Sequence, residues 1–256
     1  MRAERTITDV ISDELARRVL IGIHPPGTAA PSVRDLAAEF RTTRNTATRV
    51  LHGLAARGFL EEPRTTESFR VRDVRFDAGI DSYRFLLDPV TMPASAAVIF
   101  TEMLEALEGI VTDAVIGLLR GERPVSQQWV SEQLDCLTLL TALDESVRIH
   151  TLTVGVDVLR ELLAEPRFGF QRAILNSLAE ALLNVPEAVR ALVPEHPRHY
   201  VPLLQALAGT AAFGGLSDAG ITRATTLCQL YHRSAIARFQ ADMHRIQKPS
   251  IPLATP

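Results

Sequence analysis

Cysteine is nearly absent from this chain of 256 residues, and the little that is present forms no pattern. Cys136 and Cys228 stand far apart, and neither belongs to a CxxC pair. A disulfide framework and a thiolate zinc site are therefore excluded as organising features of the fold. We expect both residues to be buried thiols of a protein that stays in the reducing cytosol.

Long apolar runs are also missing. The richest stretches, Ala96–Phe100 and Leu203–Leu216, are short or diluted by glycine and polar residues, whereas a membrane-spanning helix needs about 20 mainly apolar residues. The opening residues, MRAERTITDVISDEL, lack the apolar core of a secretory leader. The sequence therefore predicts a cytoplasmic protein with no membrane partner.

The common signatures of catalysis do not occur either. There is no GxSxG, no phosphate-binding glycine loop, no HExxH and no catalytic Cys–His spacing. Isolated acids such as Glu102, Glu105 and Glu108 are predicted to form the solvated face of a long helix. We therefore expect a protein that is not an enzyme.

Charge is distributed unevenly along the chain. The net charge is −3, but residues 1–75 contain 13 arginines and 10 acidic residues, giving +3, and the remainder carries −6. This asymmetry favours an N-terminal module that faces nucleic acid, attached to an acidic body. All but one of the basic side chains are arginine, which suits bidentate phosphate and guanine contacts, although codon bias in a GC-rich genome would produce the same preference.

The stretch from Pro25 to Leu60 carries the clearest structural signal. Ser32 and Asp35 form a capping-box signature, and helical spacing follows at Val33, Leu36, Ala37 and Phe40. After the polar joint Arg41–Thr43, a second helix opens with Arg44, Asn45 and Thr46, with Ala47, Val50, Leu51 and Leu54 on its buried side. Two short helices with a tight joint, the second beginning in polar and cationic residues, predict a DNA-reading helix-turn-helix.

Elements on either side complete this module. An apolar stripe predicts a supporting helix over Ile7–Leu20, which ends at Gly22. Phe59–Leu60 and Phe69–Val71 have the composition of strands, and we predict that they form the wing, joined across a turn at Pro63–Ser68. Together these elements predict a winged helix-turn-helix with a small β-wing.

This stretch resembles the winged helix-turn-helix of the GntR transcription regulators. The resemblance rests on PPGT, on PS-x-R-x-LA, on the Thr-Arg-x-Thr helix start and on L-x-x-x-GFL. The wing tip lacks the glycine hairpin of the family, so a differently shaped wing is expected. The resemblance implies DNA contacts by Arg34, Thr43, Arg44, Asn45, Thr46, Arg49 and Arg64. Arg49 is expected at phosphate and Arg64 in the minor groove; the alternative for each residue is a solvated surface side chain.

From about Pro93 the pattern is helical throughout. Apolar residues at i, i+3, i+4 and i+7 predict a first long helix that ends at Gly121. Further helices are predicted over Ser126–Leu143, Glu145–Leu163, Phe170–Leu183, His199–Ala212 and Asp218–Arg245. We therefore predict a mainly α protein. Its predicted parts are a winged helix-turn-helix over 1–73, a linker over 74–80, an all-helical bundle effector domain over 81–246 and a flexible tail over 247–256.

The helical half resembles the FadR branch of that family, and its acyl-CoA-responsive type in particular. The matching stretches are Asp77–Ile80, Leu104–Arg120, Leu143–Arg148 with Gly155, and Tyr231–Ser234. They imply a ligand site containing Asp144, Arg148, Tyr231 and Ser234. Tyr231 departs from that type, which has glycine there. Arg148 would meet a ligand carboxylate or phosphate, or else pair with Asp144 at i, i+4 for about 0.3 kcal/mol.

Metal binding is not expected, although many members of the branch bind a divalent cation. Their D-x-x-x-H pattern corresponds here to Asp144 and Arg148, and arginine cannot ligate a metal. A later family histidine falls at Pro202, which leaves only His232. We expect no cofactor, but an effector that is a long-chain fatty acyl-CoA or fatty acid.

The sequence leads to three hypotheses. In the first, a homodimer binds double-stranded DNA at a pseudo-palindromic operator, and a fatty acyl-CoA or fatty-acid effector retunes it, with repression the commoner outcome in the family. In the second, the effector is a small organic acid and Arg148 is its counter-charge. In the third, the helical domain binds no ligand and serves dimerisation or protein interaction.

Overall fold

A computed structural model describes residues 6–63, 68–77, 79–90, 92–120, 144–194 and 217–247, together with positions 128, 131, 132 and 135. The chain divides into two compact units, residues 1–92 and 93–256. Unit one contains α1 (Ile7–Leu20), α2 (Val33–Glu39), α3 (Arg44–Ala56), β1 (Leu60–Glu61), β2 (Arg70–Val71), α4 (Val74–Asp77) and α5 (Tyr83–Leu86). Unit two contains α6 (Pro93–Leu119), α7 (Glu145–Leu162), α8 (Gly169–Leu183), α9 (Pro186–Leu192) and α10 (Asp218–Gln247).

The helices of unit one bury most of the side chains that the sequence pattern placed inside, although Ile7 and Val10 of the apolar stripe of α1 are exposed. Fully buried residues from all three helices form its core: Ile11, Leu15, Leu36, Val50, Leu51 and Leu54. Burying each of these side chains stabilises the fold by about 2 kcal/mol. The mainly α fold with an N-terminal helix-turn-helix and a small antiparallel wing is thereby confirmed.

Hydroxyl side chains begin α1 and α2. Thr6 and Asp9 form a reciprocal capping box at α1. At α2 the Ser32 hydroxyl accepts the Asp35 amide at 3.2 Å, as the sequence pattern predicts. The Asp35 carboxylate, however, accepts that same hydroxyl at 2.7 Å rather than the Ser32 amide. The predicted box at α2 is therefore only half formed.

All three helices of the helix-turn-helix region end in the same Schellman motif. The residue after each C-cap has a left-handed backbone: Gly22 at φ 79°, Arg41 at φ 49° and Gly58 at φ 82°. The amide of the following residue bonds back to the last turn of the helix, in the pairs Ile23 to Arg18, Thr42 to Ala37 and Phe59 to Leu54. This motif satisfies carbonyl groups that would otherwise lack partners. Only at α2 is the left-handed residue not glycine.

The wing is an antiparallel pair in which Leu60 faces Val71 and Glu61 faces Arg70. Each strand begins one residue later than predicted, because Phe59 is still part of the turn that ends α3. The segment before α2 extends the sheet: the Ala30 amide bonds the Phe69 carbonyl at 2.8 Å, and the Gly27 amide bonds the Val71 carbonyl at 2.7 Å. The predicted wing-tip contact Arg64 lies outside the described residues.

The segment after the wing packs on unit one instead of connecting two domains freely. The predicted linker over 74–80 contains the helix α4, whose Val74 is buried. Further on, Phe85 meets Phe59 edge to face at 5.4 Å, and Leu87 is fully buried. The compact N-terminal unit accordingly extends to Met92, whereas the sequence pattern began the helical domain at residue 81.

Unit two is helical in its described residues. The predicted helices over Glu145–Leu163, Phe170–Leu183 and Asp218–Arg245 correspond to α7, α8 and α10 within two residues at each end. No helix was predicted between Leu183 and His199, because Pro186 suggests a break there, yet proline is favoured in the first turn of a helix and α9 begins at it. The predicted helix His199–Ala212 and most of Ser126–Leu143 lie outside the described residues. None of the described helices is long and apolar enough to cross a membrane.

The two long helices α6 and α10 pack along each other. Phe100 and Phe239 are both fully buried and stack with ring centroids 4.1 Å apart. Each of the two helices also carries a buried polar atom: the Thr112 hydroxyl of α6 and His232 Nδ1 of α10 have no hydrogen-bond partner among the described residues. Glu108 Oε2 lies 3.8 Å from His232 Nδ1, so Glu108 belongs partly to the interface and not to the predicted solvated face. Burial lowers the pKa of His232 and raises the pKa of the Cys228 thiol.

Candidate nucleic-acid interface

The first turn of α3 is fixed by a threonine cap. Thr43 is the N-cap: its hydroxyl accepts the Thr46 amide at 3.2 Å and lies 3.0 Å from the Thr46 hydroxyl. The turn contains no acidic residue, and Arg44 is its first residue. The free amide groups and the positive end of the helix dipole therefore act together with the guanidinium group, and this end of α3 attracts anions.

The outward face of α3 presents the residues that the sequence analysis assigned to DNA. Arg44, Asn45 and Arg49 are exposed, whereas Thr46 is half-buried because it completes the cap. Arg34, on the first turn of α2, is exposed as well. The opposite face of α3, with Ala47, Val50 and Leu51, is fully buried, so the helix cannot rotate about its axis without exposing core residues. The assignment of these residues to DNA contacts stays a prediction.

The exposed arginines of this region are unneutralised. Within the described residues, the side chains of Arg34, Arg44 and Arg49 form neither an ion pair nor a hydrogen bond. The arginines on the supporting helix behave differently: Arg17 and Arg18 contact Glu14 at 2.8 Å, and Arg18 also contacts Glu39 at 2.7 Å. Three cationic side chains are thus available to an external anion at the helix-turn-helix.

The sequence analysis missed a contact that joins α3 to the wing. His52 Nδ1 lies 2.8 Å from Glu62 Oε1, just after β1, and the His52 ring meets Phe69 edge to face at 5.2 Å. These contacts hold the wing strands at one place along α3. No local pattern marks them, because the three residues come together only when the wing folds back on the helix.

Two of the four predicted ligand residues are exposed. Asp144 is the N-cap of α7: its carboxylate accepts the Val147 amide at 2.9 Å and the Ser146 hydroxyl at 2.7 Å. The Val147 amide and then the Ser146 hydroxyl hold the pKa of Asp144 below its usual value. Ser234 lies on an exposed face of α10. Neither Asp144 nor Ser234 lines a cleft formed by the described residues.

The other two predicted ligand residues cap a short helix. Three consecutive carbonyl groups at the C-terminal end of α9 accept hydrogen bonds from side chains. Arg238 Nε donates to the Ala191 carbonyl at 2.8 Å, the Tyr231 hydroxyl donates to the Leu192 carbonyl, and Arg148 Nη1 donates to the Val193 carbonyl. Arg148 therefore donates across to the end of α9, and not to Asp144 as the helix-pair alternative proposed. Cations and donors at a helix C-terminus stabilise it by satisfying its free carbonyl groups and its dipole.

Beside these caps lies a cleft of about 240 Å³ that four arginines line. Its lining comes from α7, α9 and α10 and consists of Arg148, Arg190, Ala191, Pro194, Arg238, Ala241, Asp242 and Arg245. Arg190 contacts Glu187 at 2.6 Å and Arg245 contacts Asp242. Arg238 Nη2 is buried without a hydrogen-bond partner among the described residues. The cleft can therefore receive a carboxylate or phosphate group.

A larger depression of about 450 Å³ lies between α3 and β1. It is lined by side chains of both charges, Glu61, Glu62 and Arg72, and suits no single class of ion.

Among the described residues, no group of three or more histidine, cysteine, aspartate or glutamate side chains could hold a metal ion. The two positions that correspond to the metal-binding D-x-x-x-H pattern are occupied by Asp144, which caps α7, and by Arg148. The remaining histidine of the pattern, His232, lies at the contact between α6 and α10. We derive no metal chemistry from this arrangement.

Comparisons with known proteins concern mainly the first quarter of the chain. Residues 7–65 match the family model described as bacterial regulatory proteins, gntR family. Two curated relatives are 38% identical over 77 residues, which is 30% of this chain and 32% of theirs: the HTH-type transcriptional regulator Mce2R of Mycobacterium tuberculosis and the uncharacterized HTH-type transcriptional regulator Mb0601 of Mycobacterium bovis. The matched stretch thus spans about a third of the length of these relatives.

A solved structure shares the fold over nearly the whole chain. It is described by the words "Lar controls the expression of the Listeria monocytogenes agr system and mediates virulence". The similarity has a TM-score of 0.53, 12% sequence identity, and coverage of 95% of this chain and 99% of that one. At this identity the likeness concerns the fold alone. Residues 7–65 therefore contain a helix-turn-helix that is similar to the gntR family model over this stretch.

Proposed function

We propose that this chain, whose first domain is a gntR-type helix-turn-helix, is a homodimeric transcription repressor of the FadR branch that binds a pseudo-palindromic DNA operator. The observation that carries the proposal is the outward face of α3, where Arg44, Asn45 and Arg49 are exposed and unneutralised above a buried core face. A helix of this kind enters the major groove with its N-terminal residues toward the base edges.

The side chains suit distinct parts of the operator. Arg44 can bind guanine bidentately, and Asn45 can do the same with adenine. Arg34 and Arg49 fit phosphate oxygens, which fix the register of the helix without reading sequence. The hydroxyl groups of Thr43 and Thr46 contact each other at the cap. In this proposal, each can form one further hydrogen bond to the DNA in the same groove. A dimer would place two such helices on half-sites about one DNA turn apart.

The helical unit is proposed to receive an effector. In the dimer, a ligand that binds one arrangement of the two helix-turn-helix domains better than another shifts the population toward that arrangement. The affinity for DNA changes with it. Our first candidate is a long-chain fatty acyl-CoA or fatty acid, which the resemblance of the second half supports. The phosphates of such a thioester, or the carboxylate of such an acid, would match the charge of the arginine-lined cleft.

A small organic acid is the second candidate effector. The observation that favours it is the size of the cleft, about 240 Å³, with Arg148 among its four arginines. A thermal-shift screen separates the two candidates, since a ligand that binds only the native state raises the melting temperature. A rise that grows with acyl length favours the first candidate. A response to small acids alone, lost in Arg148→Ala, favours the second, and no response at all favours a helical domain that only dimerises.

The DNA-binding proposal is tested with Arg44→Ala. Duplexes are first selected from a randomised library with the wild-type chain, and affinity is then measured at about 150 mM salt. We expect a loss of at least tenfold, because one good bidentate pair contributes about 1–3 kcal/mol, with an unchanged circular dichroism spectrum. Arg75→Ala, which alters an exposed arginine on α4, is the matched control and should bind normally. Equal affinity of the Arg44→Ala and wild-type chains would refute the assignment of α3.

A further inference from the structure

Arg41 occupies a backbone position that favours glycine. It is the left-handed residue of the Schellman motif of α2, and the equivalent residues after α1 and α3 are Gly22 and Gly58. A Cβ built on Gly22 would meet nothing within 4 Å, so the left-handed φ alone explains the glycine there. The same φ disfavours any residue with a Cβ. Arginine at the third position therefore has a conformational cost that glycine would avoid.

No contact of the Arg41 side chain with the described residues compensates for this strain. The Arg41 side chain is exposed, and within the described residues it forms no ion pair, hydrogen bond or ring contact. The neighbouring Phe40 ring is covered instead by Arg18, whose guanidinium carbon lies 5.5 Å from its centroid. A cation near the end of α2 does gain from the helix dipole, but a cation in the last helical turn would gain as much at a relaxed φ.

The position of Arg41 indicates what the arginine does. It lies in the joint of the helix-turn-helix, two residues before the cap of α3 and three before Arg44. We infer that Arg41 is a positioning residue that binds a DNA phosphate next to the point where α3 enters the groove. This inference rests on the proposed DNA-binding function. The guanidinium group would donate to phosphate oxygens, adding affinity and fixing the register of α3 without recognising a base.

The strain and the charge can be separated by substitution. Arg41→Gly removes both, and should raise the melting temperature of the full chain by about 2 °C while weakening binding to the selected duplexes about fivefold per protomer at 150 mM salt. The slope of log affinity against log salt should fall by about one per protomer. Arg41→Gln keeps the strain and removes the charge, so it should lose affinity without gaining stability. Arg41→Lys should retain most of the affinity.

Gly22→Gln is the matched control, because it places a side chain at the same position of the equivalent motif. It should lower the melting temperature by an amount similar to the gain in Arg41→Gly. The inference is overturned if Arg41→Gly and Arg41→Gln bind with wild-type affinity and salt slope while Arg44→Ala does not. If the wild-type chain selects no duplex, the proposed function fails and the inference with it. A loss confined to particular base pairs would assign Arg41 to a base and would also overturn it.

Discussion

Glu14 shows how a single carboxylate connects the helices that support α3. It contacts Arg17 and Arg18 on its own helix, and Arg18 reaches on to Glu39 of α2. The hydrogen bond from Arg17 is the largest of the effects that lower the pKa of Glu14 from 4.5 to about 2. The ionised form is therefore bound more tightly in the folded chain than in the unfolded one.

This shift predicts a defined acid sensitivity. Because the folded pKa of Glu14 is depressed, its contribution to stability is fully present above pH 4.5 and is lost as the pH falls toward about 2. Between these values the melting temperature of the wild type should fall more steeply than that of Glu14→Gln. Since the carboxylate is partly exposed, solvent screening reduces the effect, and 1 M salt should reduce it further.

Melting curves followed by circular dichroism at half-unit pH steps provide the measurement. Glu102→Gln, which alters an exposed carboxylate on α6, is the control and should run parallel to the wild type. Parallel curves for Glu14→Gln as well would show that the ion pairs around Glu14 do not stabilise the fold.

Individual residues were predictable only where a local pattern specifies their environment. The exposure of Arg44, Asn45 and Arg49 follows from the helical period of their apolar neighbours. The contact of His52 with Glu62 and the bond from Arg148 to Val193 join residues that lie 10 and 45 positions apart. Such pairings depend on the tertiary fold, for which spacing in one sequence contains no signal.

At the scale of elements, α9 is the clearest case of a helix held by its neighbours. It has seven residues, which is too short for independent stability in water. Its buried residues pack inward, and side chains of α7 and α10 satisfy the carbonyl groups at its end. The sequence pattern did not reveal α9, because Pro186 looks like a helix breaker and because the helical character of α9 depends on those side chains and not on its own length.

Tyr231→Phe tests this dependence. The substitution keeps the ring and removes the hydroxyl that donates to the Leu192 carbonyl. Leaving that carbonyl without its donor should destabilise the chain by about 1 kcal/mol and lower the melting temperature by about 3 °C. The control is Tyr83→Phe on α5, whose hydroxyl forms no bond within the described residues. Equal melting temperatures for wild type and Tyr231→Phe would mean that the hydroxyl does not support α9.

At the scale of the whole molecule, the division at Met92–Pro93 changes what an isolated DNA-binding fragment should contain. The sequence pattern correctly predicted the longer described helices of both units, because long amphipathic periods are strong signals. It placed the end of the first domain at residue 73 because no local feature shows that Phe85 will pack on Phe59. The predicted boundary at residue 73 therefore marks the end of the winged helix-turn-helix motif, whereas the compact unit that contains the motif extends to Met92.

Two fragments test this boundary. Residues 1–92 should melt cooperatively, whereas residues 1–75 should melt at a much lower temperature or remain unfolded. The shorter fragment lacks the buried Leu86 and Leu87 together with the half-buried Phe85, and fully burying a leucine side chain contributes about 1.5–3 kcal/mol. Circular dichroism melts and calorimetry provide the comparison. A fragment 1–75 that is as stable as 1–92 would contradict the extended unit.

The buried polar groups of α6 and α10 bear on the engineering of this protein. Thr112 on α6 and His232 on α10 have buried polar atoms that form no hydrogen bond among the described residues. An unbonded buried polar atom costs about 1–3 kcal/mol. Thr112→Val is therefore a first substitution for a more heat-resistant variant for crystallisation or biosensor use, and it lies outside unit one.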